Sequence, residues 1–398
     1  MVGWCQPSVS SVTHAQSNRA TQHDHSMFIN ESKIVTRKTL THDEAVQEVY
    51  RLTPQIREYD EFMYLGVRWL PYTMFFHHKN YRSEVINTDD FGFRFSDWQG
   101  KQLGVENMPK DTPVNLLIGG STTMGTGATR DAWTVASRLA AHTDQPWLNL
   151  GGRGYNAVQE VLLFLMHQHR FGPINNVVVF SGLNTLTLEG LPDELASEHG
   201  RYYYSFEYQH YMDKYNDDLK RRSRTYGSDL DWRNKGFIAR YLNKLRSEEN
   251  PADIIITDEQ TDTPARVARA AWVVTNALRQ WKLLLGGSGA KLSFVLQPMT
   301  YWARSHLTPE EEAIFHAIDS CPNNFWRLFS KILGSETHAP FVNPIQSFCA
   351  DNHLQFADMN LMLRESPLLN DYLFVDRVHF NDKGYDEAAR LIAAALPA

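Results

Sequence analysis

The chain has 398 residues, 42% hydrophobic and 21% charged, which is enough apolar material for a large core. A formal net charge of −7 argues against a nucleic-acid or anionic-membrane surface. No apolar run approaches the roughly 18 residues of a membrane span. The opening MVGWCQPSVSSVTHAQS has neither a basic n-region nor an apolar h-region, so a soluble, cytoplasmic protein is expected. Cys5, Cys321 and Cys349 are too widely spaced for a disulfide framework or a zinc site, which points to a reducing compartment.

Residues 1–32 are polar and rich in Ser, Thr, Gln and His, and read as a disordered tail in which His23 and His25 are solvated. The sequon Asn30-Glu31-Ser32 is a pattern only. Residues 33–110 read as an N-terminal extension packed on the main domain. A helix starts near Thr41, with Asp43 and Glu44 in its first turn. An aromatic stretch follows, in which His77 and His78 are expected simply to pack. It ends in NTDDFGFRFSDWQG, with Gly92 and Gly100 marking turns.

From residue 111 onward strands and helices alternate, which predicts a parallel sheet flanked by helices. Val114–Ile118 is a short apolar run stopped by Gly119 and Gly120, the pattern of a strand buried on both faces. Ser121 sits on the turn, and Thr122–Leu139 reads as the following helix. Trp147–Leu150, Asn176–Ser181, Lys291–Gln297 and Leu354–Met359 read as further strands. Helices are expected at Val158–His169, Pro264–Leu285, 342–353 and Asp382–Leu396. Two insertions interrupt the alternation, at about 188–262 and 300–340. The Tyr202–Tyr211 cluster of the first either lines an acyl or sugar pocket or covers the core.

A serine at a strand-to-helix turn presents its hydroxyl above a helix N-terminus, a suitable place for a nucleophile. Ester cleavage also needs a base, a group that orients the base, and donors for the oxyanion. Asp376 and His379, three residues apart in DRVH, allow one turn to set the carboxylate against the imidazole Nδ1–H. Glycine-rich strand ends at NLGGRGYN (149–156) and FSGLN (180–184) offer oxyanion donors. GGSTTMGTG lacks the Lys-Ser/Thr of a phosphate loop. His167 and His169, two apart on a helix, point to different faces and do not share a metal.

Taken together, these four pieces resemble the SGNH, or GDSL-type, hydrolase family over about residues 85–190 and 290–396. GGSTTMG is similar to block I, NLGGRGY to block II, SGLN to block III and DRVH to block V, and GFR resembles a lead-in segment of some branches. The resemblance implies a flavodoxin-like three-layer α/β/α fold with the site at the carboxyl ends of the strands. It implies a triad of Ser121, His379 and Asp376, and oxyanion donors from the N–H groups of Ser121 and Gly154 and the amide of Asn184. No cofactor or metal is called for. Gly120 and Thr185 depart from the aspartates of GDS and GxND, so local hydrogen bonding is expected to differ. Arg153 either pairs with a substrate carboxylate or makes a structural ion pair.

Three functions remain open at this point. The first is a serine esterase acting on an O-acylated small molecule or carbohydrate. The second is an acyltransferase that passes the same acyl-enzyme to an alcohol or amine. The third is a binding protein that keeps the fold without the chemistry.

Overall fold

The structure, a computed structural model, describes residues 40–397 other than 66, 109, 198–199, 206–207, 209–211, 213, 216–250 and 322–324. The expected tail, with His23, His25 and the sequon at Asn30, lies outside the described residues, as does much of the tyrosine-rich insertion.

Helix α1 (His42–Leu52) begins where the sequence placed it, because Thr41 and Glu44 form a capping box. Helix α2 (Ile56–Tyr64) follows, then two hairpins, β1–β2 (Arg68–Leu70, Met74–Phe76) and β3–β4 (Ser96–Trp98, Lys101–Leu103). Apolar residues of this segment are buried in the core of the rest of the chain, among them Tyr59, Phe62, Phe75, Phe76 and Phe93.

The centre is a five-stranded parallel sheet. Strand β5 (Val114–Gly119) leads into α3 (Ser121–Met124) and α4 (Val135–Thr143). Strand β6 (Trp147–Gly151) leads into α5 (Ala157–His167), and β7 (Ile174–Ser181) into α6 (Leu183–Glu189). Strands β8 (Lys291–Leu296) and β9 (Gln355–Asp358) complete the order β6-β5-β7-β8-β9. This is the flavodoxin-like order, and its direction reverses between β5 and β7.

Every residue of β5 is buried, with alternate side chains serving opposite layers. Leu116 and Ile118 join a core with α5 and the helices Thr263–Leu285 and Ser335–Asp351. Leu117 joins the other core with α4 and the helix Asp382–Ala395. Strands covered on both faces need continuous apolar runs, which is why β5 and β7 were legible.

Three expectations need correction. Thr122–Leu139 is not one helix: α3 ends at Gly125, whose φ of +94° suits only glycine without strain, and α4 starts at Val135, capped by Thr134. The helix expected at 342–353 begins earlier, at Ser335, and carries Pro340 and Pro344 within it. Cys349 is a buried free thiol, but Cys321 is disulfide-bonded, with its partner outside the described residues. Sequence spacing cannot reveal such a pairing. Among the described residues, no helix is long and apolar enough to cross a membrane, and no group of three or more His, Cys, Asp or Glu could hold a metal.

Candidate active site

The turn after β5 places Ser121 at the carboxyl edge of the sheet, as the first residue of α3. The loop before the last helix brings His379 to it. His379 Nε2 lies 2.7 Å from Ser121 Oγ, and His379 Nδ1 lies 2.5 Å from Asp376 Oδ2. The other oxygen of Asp376 accepts the backbone N–H groups of Val378 and His379, both at 2.7 Å. The carboxylate is thereby fixed on its own loop, with one oxygen left for the imidazole. With Nδ1–H donating to Asp376, Nε2 carries the lone pair that faces the serine.

Two threonines hold this loop against the sheet. Thr122 Oγ1 donates to Val378 O at 3.1 Å, and Thr300 donates to Arg377 O through its N–H and its hydroxyl. Gln297, just past β8, donates to Thr122 Oγ1 at 3.0 Å. The alignment of Ser121 with His379 therefore rests on two strand ends, those of β5 and β8, as well as on the DRVH loop.

The strand ends also bring Gly154 and Asn184 to the same cavity. Gly154 sits at φ +77°, a left-handed conformation that favours glycine. Asn184 Nδ2 gives one hydrogen to Tyr155 O at 2.9 Å, and an amide nitrogen has a second to offer. The two departures from the family motifs have physical counterparts here. A Cβ on Gly120 would come within 2.4 Å of Asn184 Nδ2, so the bare backbone at 120 makes room for that amide. Thr185 Oγ1 accepts the N–H of Ala157 at the start of α5, tying the two donor loops together.

The cavity in front of Ser121 is walled by Leu183, Ile318, Phe325, Trp326 and Val378, and its volume is about 50 Å³. Arg377 borders it, bound through two 2.7 Å contacts to Asp319 and lying against the Trp326 ring. The second expected insertion thus supplies one side of the cavity.

Sequence reasoning missed several contributors. His77 does pack, stacking on Phe76, but its Nε2 also accepts the backbone N–H of Arg153 at 3.0 Å. Burial, with the positive charge of Arg153 added, pushes its pKa down to about 3, so the ring is neutral. Arg94, of the GFR segment, is fully buried; it pairs with Asp131 at 2.7 Å and donates to the carbonyls of Gly125 and Val85. Glu160 hides under β7, where it accepts from Ser181 Oγ at 2.5 Å; burial pushes its pKa up to about 8. Nothing in the spacing of these residues marks them, because their partners lie far away in the chain.

No protein-family model matches the chain, and no curated sequence does. Solved structures do. A GDSL-like lipase from Bacteroides thetaiotaomicron is similar at 12% identity, over 73% of this chain and 92% of the other, with a TM-score of 0.38. The lipase/acylhydrolase from Enterococcus faecalis is also similar at 12% identity, over 71% and 94%, with a TM-score of 0.35. An acetyl xylan esterase is similar at 14% identity, over 71% and 100%, with a TM-score of 0.35. The likeness is one of fold. At these identities and scores it says nothing about the chemistry of this chain's site.

Proposed function

We propose that the chain is a serine esterase of the SGNH type that removes a short acyl group from an O-acylated small molecule or carbohydrate. The observation that carries this reading is the unbroken chain of hydrogen bonds from Asp376 through His379 to Ser121, beside a cavity that also presents Gly154 and Asn184.

In this reading His379 Nε2 takes the proton of Ser121 as Oγ bonds to the ester carbonyl carbon, and the carbonyl electron pair moves onto oxygen. The N–H groups of Ser121 and Gly154 and the Asn184 amide receive that oxyanion. Asp376 holds the imidazolium that forms. Collapse breaks the bond to the alcohol, which leaves with the proton from His379. Water, deprotonated in turn by His379, frees the acyl group and restores Ser121. The cavity volume of about 50 Å³ favours a short acyl group, since one water-sized group needs roughly 10–15 Å³.

The test is a panel of p-nitrophenyl esters of increasing acyl length, together with labelling by a fluorophosphonate. Turnover is expected to be greatest for short acyl chains, and Ser121→Ala should abolish both turnover and labelling. A Ser121→Ala protein with full esterase activity would overturn the reading.

A further inference from the structure

Ser121 and His379 face a second space besides the apolar cavity. It is a narrow crevice shared with Tyr59, Met63, Met124, Thr126 and Arg153. Arg153 is only 9% exposed, yet among the described residues its guanidinium has no ion pair and no hydrogen bond. The other buried arginines each hold a carboxylate: Arg94 holds Asp131, Arg266 holds Asp258, Arg304 holds Glu311 and Arg377 holds Asp319. The structural ion pair that the sequence allowed for Arg153 is therefore not made among the described residues.

A second group points the same way. Thr126 is 5% exposed, and its hydroxyl is buried without a partner. The Tyr59 hydroxyl, by contrast, is committed to the carbonyls of Gly125 and Ala128. A hydroxyl buried without a partner is costly unless a ligand completes it, and the largely buried arginine that shares the crevice is left without a counter-charge among the described residues. The ligand that suits both donors is an anionic oxygen.

We propose that Arg153 and Thr126 form a subsite for a carboxylate on the alcohol portion of the substrate, so that the acyl group occupies the apolar cavity and the leaving alcohol directs its carboxylate to the mouth of the crevice. The assignment rests on the esterase reading and narrows its substrate to a short-chain ester of a hydroxy acid or an acidic sugar. The two substituents of a carbonyl carbon held at Ser121 diverge, and of the two spaces beside Ser121 only the crevice offers an arginine that holds no carboxylate among the described residues. The crevice is tight, about 10 Å³, room for one oxygen-sized group, so only the tip of the anion enters.

Two measurements test this. The first compares kcat/KM for 4-acetoxybenzoate with that for phenyl acetate, in the native protein and in Arg153→Gln. The ratio is expected to fall roughly tenfold in the variant, as the loss of one charged hydrogen-bonded contact implies, and Arg153→Lys should retain part of it. A ratio that Arg153→Gln leaves unchanged overturns the subsite. So does an anionic preference confined to p-nitrophenyl hemisuccinate, whose carboxylate is on the acyl side. The second is independent of turnover: benzoate should raise the melting temperature of the native protein and of Ser121→Ala, and not that of Arg153→Gln. Equal shifts in all three, or none in any, overturn the subsite whatever the esterase assays give. A benzoate shift lost only in Arg153→Gln, with no ester hydrolysed, keeps the anion site and removes the esterase reading.

Discussion

His77 accepts a hydrogen bond from the backbone N–H of Arg153 at 3.0 Å, so a residue of the N-terminal segment holds the loop that carries Gly154. Tyr155 reinforces the same join by donating its hydroxyl to Phe75 O. His77→Phe keeps the ring stacking on Phe76 but leaves the Arg153 N–H without its acceptor. In steady-state assays kcat is expected to drop about tenfold, the equivalent of one hydrogen bond, with little change in KM. His77→Gln can accept from Arg153 and should restore most of the rate; equal losses in both variants would show that the ring matters only for packing.

The same ring makes the fold sensitive to acid. Its pKa in the folded chain is about 3, against an ordinary value of 6.5. A depressed pKa contributes stability that is present above the unfolded value and lost as pH falls toward the folded one. Melting temperature should therefore decline from near pH 6.5 downward, and His77→Gln should flatten that part of the curve.

Gly120 and Asn184 compete for one space. Gly120→Ala is expected to fold, because the far end of the Asn184 side chain can move aside. The amide would then leave the place proposed for an oxyanion donor. Asn184→Ala should slow kcat on the order of a hundredfold, the usual cost of one oxyanion donor, and Gly120→Ala should approach that value with a near-native melting temperature. A Gly120→Ala enzyme as fast as the native one would show that the amide plays no part.

Glu160 titrates in the opposite sense to His77. Burial raises its pKa from 4.5 to about 8, so the folded chain holds a proton that the unfolded chain gives up. Stability is full below the unfolded pKa and is lost as pH rises from about 4.5 to about 8. Glu160→Gln keeps an acceptor for Ser181 without the charge, and should make the melting temperature less dependent on pH across that window. Thermal melts in a pH series would decide it.

Arg94 binds Asp131, Tyr59 and three backbone carbonyls with no side-chain exposure to solvent. Arg94→Met strands Asp131 in the interior, and breaking a buried pair in this way costs about 3–5 kcal/mol. Chemical denaturation should show this as a lower midpoint with an unchanged slope.

The sheet was legible because β5 and β7 had to be apolar throughout, and the glycines after them marked where the chain turned. The five residues that meet at the candidate site could be singled out for a related reason: Ser121, Gly154, Asn184, Asp376 and His379 all sit at strand ends or in the terminal loop, within short recognisable blocks. What the sequence hid was support that works at long range. His77 serves a loop 76 residues away, and nothing local distinguishes it from its neighbour His78. The break after α3 was missed because the apolar spacing continued through it, while the positive φ of Gly125 leaves no periodic trace. Arg153 could be read either way from the sequence, since only coordinates reveal that its guanidinium makes no ion pair among the described residues.

The contact between Ser121 and His379 joins positions 258 residues apart. A nascent chain leaving the ribosome would thus carry its hydroxyl long before its imidazole. Partial products that end short of residue 379 are expected to be inert toward a fluorophosphonate even if their early strands have already paired, so a growing polypeptide would have no such reactivity until residue 379 has been added and folded into place.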